Sequence, residues 1–136
     1  MARLLIVDDD IDILKVMAAI LAQAGHRIEA SASVADALRK LGLCPDDPDA
    51  EPPDLVVIDV MMPQSDGYSL CRSIRTAPRT RDFPILVVSA LPELSRLFTV
   101  SVAVDGFLRK PFQPEALIAS VEDILRRSGP AGDIGS

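Results

Sequence analysis

The sequence predicts a single α/β domain built on a five-stranded parallel sheet with helices on both faces. Short apolar runs alternate with longer amphipathic stretches five times along the 136 residues, as repeated strand–helix units do. Apolar residues make up 49% of the chain and charged residues 25%, which is enough for one ordinary core. We expect the domain to span residues 1–127 and to be followed by a flexible tail or truncated linker over residues 128–136.

Five short runs are strand candidates, because they are rich in Leu and β-branched residues and are bounded by turn-forming residues. The predicted strands are Leu4–Val7, Arg27–Ser31, Leu55–Asp59, Ile85–Ser89 and Asp105–Leu108.

Longer periodic stretches between these runs predict helices. The first is expected from about Asp12 to Ala24, ended by Gly25. The second starts at Ser33, whose hydroxyl can cap it, and ends at Gly42. The expected buried stripe of the first helix is Ile13, Met17, Ile20 and Ala24. The other predicted helices are about Asp66–Thr76, Glu93–Ser101 and Pro114–Arg127.

The segment Cys44–Pro53 holds four prolines and no apolar periodicity, which predicts a surface loop. Five acids between Cys44 and Asp54 supply most of the net charge of -6. That charge, together with only 4% aromatic residues, argues against direct nucleic-acid binding.

No early apolar run is long enough for a signal peptide or membrane span, and the two cysteines form no metal-site or disulfide spacing. We therefore expect a cytoplasmic protein.

Acidic side chains follow two predicted strands at the point where each strand ends. Asp8, Asp9 and Asp10 follow the first strand, and Asp59 closes the third. Carboxylates that converge on one edge of a sheet repel one another, and Mg²⁺ is a suitable counterion. The alternative is that aspartates here cap the first helix, and we favour that role for Asp10 and Asp12.

Two further polar residues are placed at the same edge. Ser89 ends the fourth strand and Lys110 follows the fifth. A hydroxyl donor and an ammonium group together suit a phosphoryl group.

Five motifs, in order and in register with the strand ends, resemble the receiver domain of two-component response regulators, the CheY-like superfamily, over about residues 3–127. The distances along the chain are 50 residues from Asp9 to Asp59, 30 to Ser89 and 21 to Lys110. The motifs are Val-Asp-Asp-Asp at 7–10, Val-Ile-Asp-Val-Met-Met-Pro at 57–63, Asp66-Gly67, Val-Ser-Ala at 88–90 and Lys110-Pro111-Phe112.

The resemblance implies a flavodoxin-like, doubly wound fold with strand order 2-1-3-4-5. It implies that Asp59 accepts a phosphoryl group as a carboxylate nucleophile, and that Lys110 and Ser89 contact that group. Mg²⁺ would be held by Asp8, Asp9, Asp59 and the backbone carbonyl of Met61. It also implies a cis peptide bond between Lys110 and Pro111.

The resemblance further implies partners and a switch. The donor would be a phosphohistidine on a sensor histidine kinase or phosphotransfer protein, and the output a downstream protein target or a fused effector. Ser89 would move toward the phosphoryl group and Phe107 would turn inward with it; ordinary packing of Phe107 is the alternative. Apolar residues within 91–127 are either core or a contact for a partner or a homodimer.

Met61 and Leu91, two residues past Asp59 and Ser89, are apolar where receivers resembling this chain place the hydrolytic water. We therefore predict slow self-dephosphorylation.

Two other functions remain open from the sequence. One is a degenerate receiver that serves as a phosphorylation-independent binding scaffold. The other is a small Mg²⁺-dependent phosphatase with an aspartate nucleophile, although the chain offers no Asp-x-Asp at residue 59 and no substrate cap. We expect no turnover on small molecules.

Overall fold

The computed structural model of the chain describes residues 2–60, 66–90 and 103–128. Within these ranges, five strands form one sheet in the order β2-β1-β3-β4-β5, and every neighbouring pair is parallel. The predicted fold class and strand order are therefore confirmed. The strands are β1 (Arg3–Val7), β2 (Arg27–Ser31), β3 (Leu55–Asp59), β4 (Ile85–Ser89) and β5 (Gly106–Arg109).

Helices cover both faces of the sheet. The described helices are α1 (Ile11–Gln23), α2 (Val34–Lys40), α3 (Asp66–Thr76) and α4 (Pro114–Arg127). None of these four is both long and apolar enough to cross a membrane. The helix predicted at Glu93–Ser101 lies outside the described residues, as does all of the predicted tail after Ser128.

The helix starts follow the local signals in the sequence. Asp10 caps α1 by accepting hydrogen bonds from the backbone N–H groups of Asp12 and Ile13. Ser33 caps α2 in the same way, its hydroxyl oxygen accepting from the N–H of Asp36 at 3.1 Å. Because these side chains satisfy backbone donors that the helix leaves unpaired, they fix where each helix begins.

The sheet separates two hydrophobic clusters, and successive strand residues point alternately into one or the other. Leu5 and Val7 of β1 join the cluster that packs on α2 and α3, whereas Leu4 and Ile6 join the cluster that packs on α1 and α4. All four are nearly inaccessible to solvent. The central strands are thus buried on both faces, which explains their almost unbroken apolar sequence.

The buried stripe of α1 differs from the predicted one. Leu14, Met17 and Leu21 are buried, whereas Ile13 and Ile20 are only partly buried at the margin of the cluster. Apolar residues lie on more than one side of α1, so the hydrophobic pattern alone does not determine which side faces the sheet.

Two arginines hold the acidic loop that precedes β3. Arg79 donates to the carbonyl oxygens of Gly42, at 2.7 Å, and Asp47, at 2.9 Å, and it also pairs with Asp46. At the other end of the loop, Arg3 pairs with Glu51 at 3.0 Å. The loop is exposed, as the sequence predicts, but it is tied to the domain at both ends.

Candidate functional site

The parallel sheet brings the carboxyl ends of four strands to one edge. Its register pairs Asp59 of β3 with Val88 of β4, and Ser89 of β4 with Arg109 of β5. Strands β1 and β3 are also direct neighbours. Ligands of open parallel sheets bind at this edge. The predicted site residues that lie at or just after these strand ends are Asp8, Asp59, Ser89 and Lys110.

Asp59 and Lys110 form an ion pair that is largely removed from water. Their side chains are 2% and 15% exposed, and Lys110 Nζ donates to Asp59 Oδ2. Burying a carboxylate is costly unless it is paired, so the ammonium compensates the charge that β3 buries at its end. The backbone N–H of Lys110 donates to the carbonyl of Ser89 at 2.8 Å, and the Lys110–Pro111 peptide bond is cis, as expected.

Asp8 lies beside this pair and is only 4% exposed. Its Oδ1 accepts a hydrogen bond from the backbone N–H of Asp10 at 2.9 Å. Burial, followed by the neighbouring carboxylate of Asp59, raises the pKa of Asp8 to about 7, although the Asp10 N–H and Lys110 act in the opposite direction. Two acids and one base thus share this small volume.

Two carboxylate oxygens at this edge, Asp8 Oδ2 and Asp59 Oδ1, are buried and have no hydrogen-bond partner within the described ranges of the chain. Hard divalent cations prefer such oxygens, so these two residues fit a Mg²⁺ ion. Asp9 is exposed, and Met61 lies outside the described residues. Among residues 2–60, 66–90 and 103–128, no three or more His, Cys, Asp or Glu side chains are arranged to hold a metal. The acids that the structure places together are therefore two of the expected set.

The predicted switch residues occupy neighbouring strands. Ser89 is fully buried at the end of β4. Phe107 in β5 is partly buried and packs against the hydrophobic cluster on the α2 and α3 side of the sheet. This contact agrees with a packing role for Phe107, and its movement stays a prediction.

Arg75, near the end of α3, has a positioning role that the sequence does not reveal. Its guanidinium donates to the carbonyl oxygens of Phe83 and Ala103, both at 2.7 Å, and pairs with Asp105 at 3.1 Å. It thereby ties α3 to the start of β5, the strand that leads to Lys110. A basic residue in the last turn of a helix is common, so nothing local marks its distant partners.

Comparison with known proteins decides the family. The family model of the response regulator receiver domain matches residues 4–122. The chain belongs to this family.

Similar proteins agree with this receiver assignment. The transcriptional regulatory protein GltR of Pseudomonas aeruginosa is 35% identical over 126 residues, which cover 92% of this receiver and 49% of GltR. The structure of the chemotaxis protein CheY4 of Vibrio cholerae superposes with a TM-score of 0.77 at 31% identity and covers 92% of this receiver and 99% of CheY4. A receiver domain of a histidine kinase from Syntrophus aciditrophicus gives a TM-score of 0.77 at 29% identity, over 93% and 91% of the two chains.

This receiver spans about half the length of several of the curated transcriptional regulators that it matches. Phosphorylation-dependent signalling in a two-component system is its general kind of function.

Proposed function

We propose that this receiver accepts a phosphoryl group on Asp59 in a Mg²⁺-dependent reaction and, once phosphorylated, changes a protein-interaction surface. The observation that supports this most directly is the Asp59 carboxylate, which is buried at the end of β3. One of its oxygens is bonded to Lys110, and the other has no hydrogen-bond partner among the residues that the structure describes. Most buried carboxylate oxygens in folded proteins have a hydrogen-bond partner, so a buried oxygen without one suits a residue that binds a ligand.

The proposed donor is a phosphohistidine on a sensor histidine kinase or a phosphotransfer protein. A carboxylate oxygen of Asp59 attacks the phosphorus, a P–O bond forms, and the P–N bond to the imidazole breaks with its electron pair going to the nitrogen. The product is an acyl phosphate on Asp59 and an unmodified histidine. Lys110, 15% exposed and already at the carboxylate, offsets the negative charge that arrives with the phosphoryl group.

The metal part of the proposal rests on Asp8 and Asp59, whose free oxygens fit the ion. Asp9 and the backbone carbonyl of Met61 complete the proposed ligand set. Bound Mg²⁺ would supply charge neutralisation for the acids and for the phosphoryl oxygens. The backbone N–H of Asp10, which donates to Asp8 Oδ1 at 2.9 Å, orients this carboxylate.

Ser89 and Phe107 are the proposed switch, and a downstream protein or an effector domain is the proposed partner of the changed surface. Residues 91–127, of which 103–127 are described, would supply that surface or a homodimer contact. We place the protein in the cytoplasm, where a kinase of this type presents its phosphohistidine; the free thiols of Cys44 and Cys71 suit a reducing compartment.

The test is intact-mass measurement after incubation with acetyl phosphate, with and without Mg²⁺, on the wild type and on Asp59→Asn. The proposal expects one phosphoryl group on the wild type, only with Mg²⁺, and none on the variant. Incubation with a phosphorylated histidine kinase is the second arm, because some receivers accept only from a protein donor. Failure in both arms would favour the scaffold function, and modification of Asp59→Asn to the same extent would exclude Asp59 as the acceptor.

A further inference from the structure

Gly67, the second residue of α3, is buried against the end of β3. A Cβ atom at this position would lie 2.7 Å from the backbone oxygen of Asp59, 2.9 Å from Cγ2 of Val60 and 3.2 Å from Cγ2 of Ile58. Contacts below 3.0 Å are essentially never made by real Cβ atoms. The first turn of α3 therefore packs directly on the main chain of the residue proposed to accept the phosphoryl group.

Residue 67 must be glycine because there is no space for a side chain, and not because of its backbone conformation. Among the described glycines only Gly25 and Gly42 have positive φ angles, so the backbone at Gly67 suits any residue. The nearest atom belongs to main chain and cannot rotate aside. At Gly106, by contrast, a Cβ would meet Cδ1 of Ile124 at 2.8 Å, which is the movable end of a side chain.

Neither side of this contact is free to withdraw. Asp59 is fixed in the β3–β4 ladder, and the N–H of the next residue, Val60, donates to the carbonyl of Val88 at 2.8 Å. On the other side, α3 buries Leu70 and Ile74 completely in the core. A side chain at residue 67 must therefore move the end of β3, with its acceptor carboxylate, or pull α3 out of the core.

We propose that Gly67 is a positioning residue for phosphoryl transfer. Because it has no side chain, α3 can pack against the Asp59 carbonyl and keep the Asp59 carboxylate beside Lys110 and Asp8. This inference rests on the proposed acceptor role of Asp59. Because withdrawal of α3 would expose Leu70 and Ile74, we expect Gly67→Ala to displace the end of β3 and to move the carboxylate away from its partners. Displacements of about 1 Å at a reacting group slow reactions by up to about 100-fold, so we expect phosphorylation to be about 10- to 100-fold slower.

The matched control is Gly25→Ala. Gly25 has a φ of +99° and nothing within 4 Å of an added Cβ, so alanine there strains the backbone. It follows α1 at the opposite edge of the sheet from Asp59. Stability is measured by urea unfolding, and phosphorylation from acetyl phosphate by intact mass over a range of Mg²⁺ concentrations. Both variants lose stability, and Gly67→Ala alone loses phosphorylation rate; equal rates in the two variants would overturn the proposal.

A second variant separates the two nearest contacts. Val60→Ala removes the side chain that the added Cβ would meet and leaves the contact with the Asp59 oxygen. The Gly67→Ala, Val60→Ala double variant should regain part of its packing and still phosphorylate more slowly than Val60→Ala alone. If it matches Val60→Ala, crowding of Val60 explains the loss and the proposal fails. If Gly67→Ala does not fold, the comparison of the double variant with Val60→Ala takes its place as the test.

A wild type that accepts no phosphoryl group from acetyl phosphate or a kinase contradicts the proposed function but leaves Gly67 testable. The carboxyl-carbon NMR resonance of Asp59 and the Nζ resonance of Lys110 are then compared in metal-free protein. Both shift in Gly67→Ala and neither shifts in Gly25→Ala if Gly67 positions the carboxylate. Unchanged resonances in Gly67→Ala reject that role.

Discussion

Replacing Lys110 with methionine removes the ammonium group that compensates the buried carboxylate of Asp59. The methionine keeps most of the apolar stem of the lysine, so the main change is the lost charge. Asp59 then keeps a side chain that is 2% exposed, beside the buried acid Asp8. Breaking a buried ion pair by removing one partner costs about 3–5 kcal/mol of unfolding free energy. We therefore expect Lys110→Met to lose about 3–5 kcal/mol of unfolding free energy at pH 7.

The assay is urea unfolding followed by circular dichroism, in EDTA so that no divalent cation takes the place of the ammonium. The control is the same substitution in an Asp59→Asn background, in which the buried carboxylate is already absent. There Lys110→Met should cost less than about 1 kcal/mol at pH 7. An equal cost in both backgrounds would refute the assignment of Lys110 as the counterion of Asp59.

Three other predictions follow from described contacts and from the sequence. Asp36 accepts hydrogen bonds from Arg39, Ser31 and Lys40, which hold its pKa below the usual range. Asp36→Asn should therefore lower stability at pH 7, and the difference from wild type should shrink in urea titrations as the pH falls below about 4. Arg79→Ala should change global stability by less than about 1 kcal/mol but speed amide exchange and proteolysis within residues 43–54, and an unchanged loop would contradict the role of Arg79 as its anchor. Met61→Asn combined with Leu91→Glu should shorten the lifetime of the phosphorylated protein, measured by intact mass after removal of the phosphodonor, and an unaltered lifetime would show that apolar side chains there do not slow hydrolysis.

The sequence predicts most of the fold, because its signals are local. The predicted and observed limits of β2, β3 and β4 coincide. Strands β3 and β4 are short apolar runs between turn residues, and β2 follows the glycine that ends the first helix. The start of β5 is one residue later than predicted. Asp105 stays outside the strand, where its carboxylate accepts from the N–H of Ile85 at 2.8 Å and pairs with Arg75. Those partners are 20 and 30 residues away, beyond the reach of any local pattern.

Part of the candidate site is likewise predictable from local sequence, and part depends on distant contacts. The positions of Asp8, Asp59 and Lys110 at strand ends are visible in the sequence, because a parallel sheet gathers those ends at one edge. Two other contacts depend on how the chain folds back after each strand. They are the close packing of Gly67 on the Asp59 carbonyl and the hydrogen bond from the Asp10 N–H to Asp8. The sequence offers only a glycine and an aspartate there, two residue types that are common at the start of helices.

The place of the acidic loop has an electrostatic consequence for the site. The loop leads into the amino end of β3, whereas Asp59 closes the carboxyl end, and a five-residue strand is about 16 Å long. This is about twice the screening length of about 8 Å at physiological ionic strength. Arg3 and Arg79 also neutralise two of the loop's acids locally. The charge of the acidic loop is thus screened from the edge where a dianionic phosphoryl group would arrive. A change in the charge of the loop would therefore not repel the phosphoryl donor.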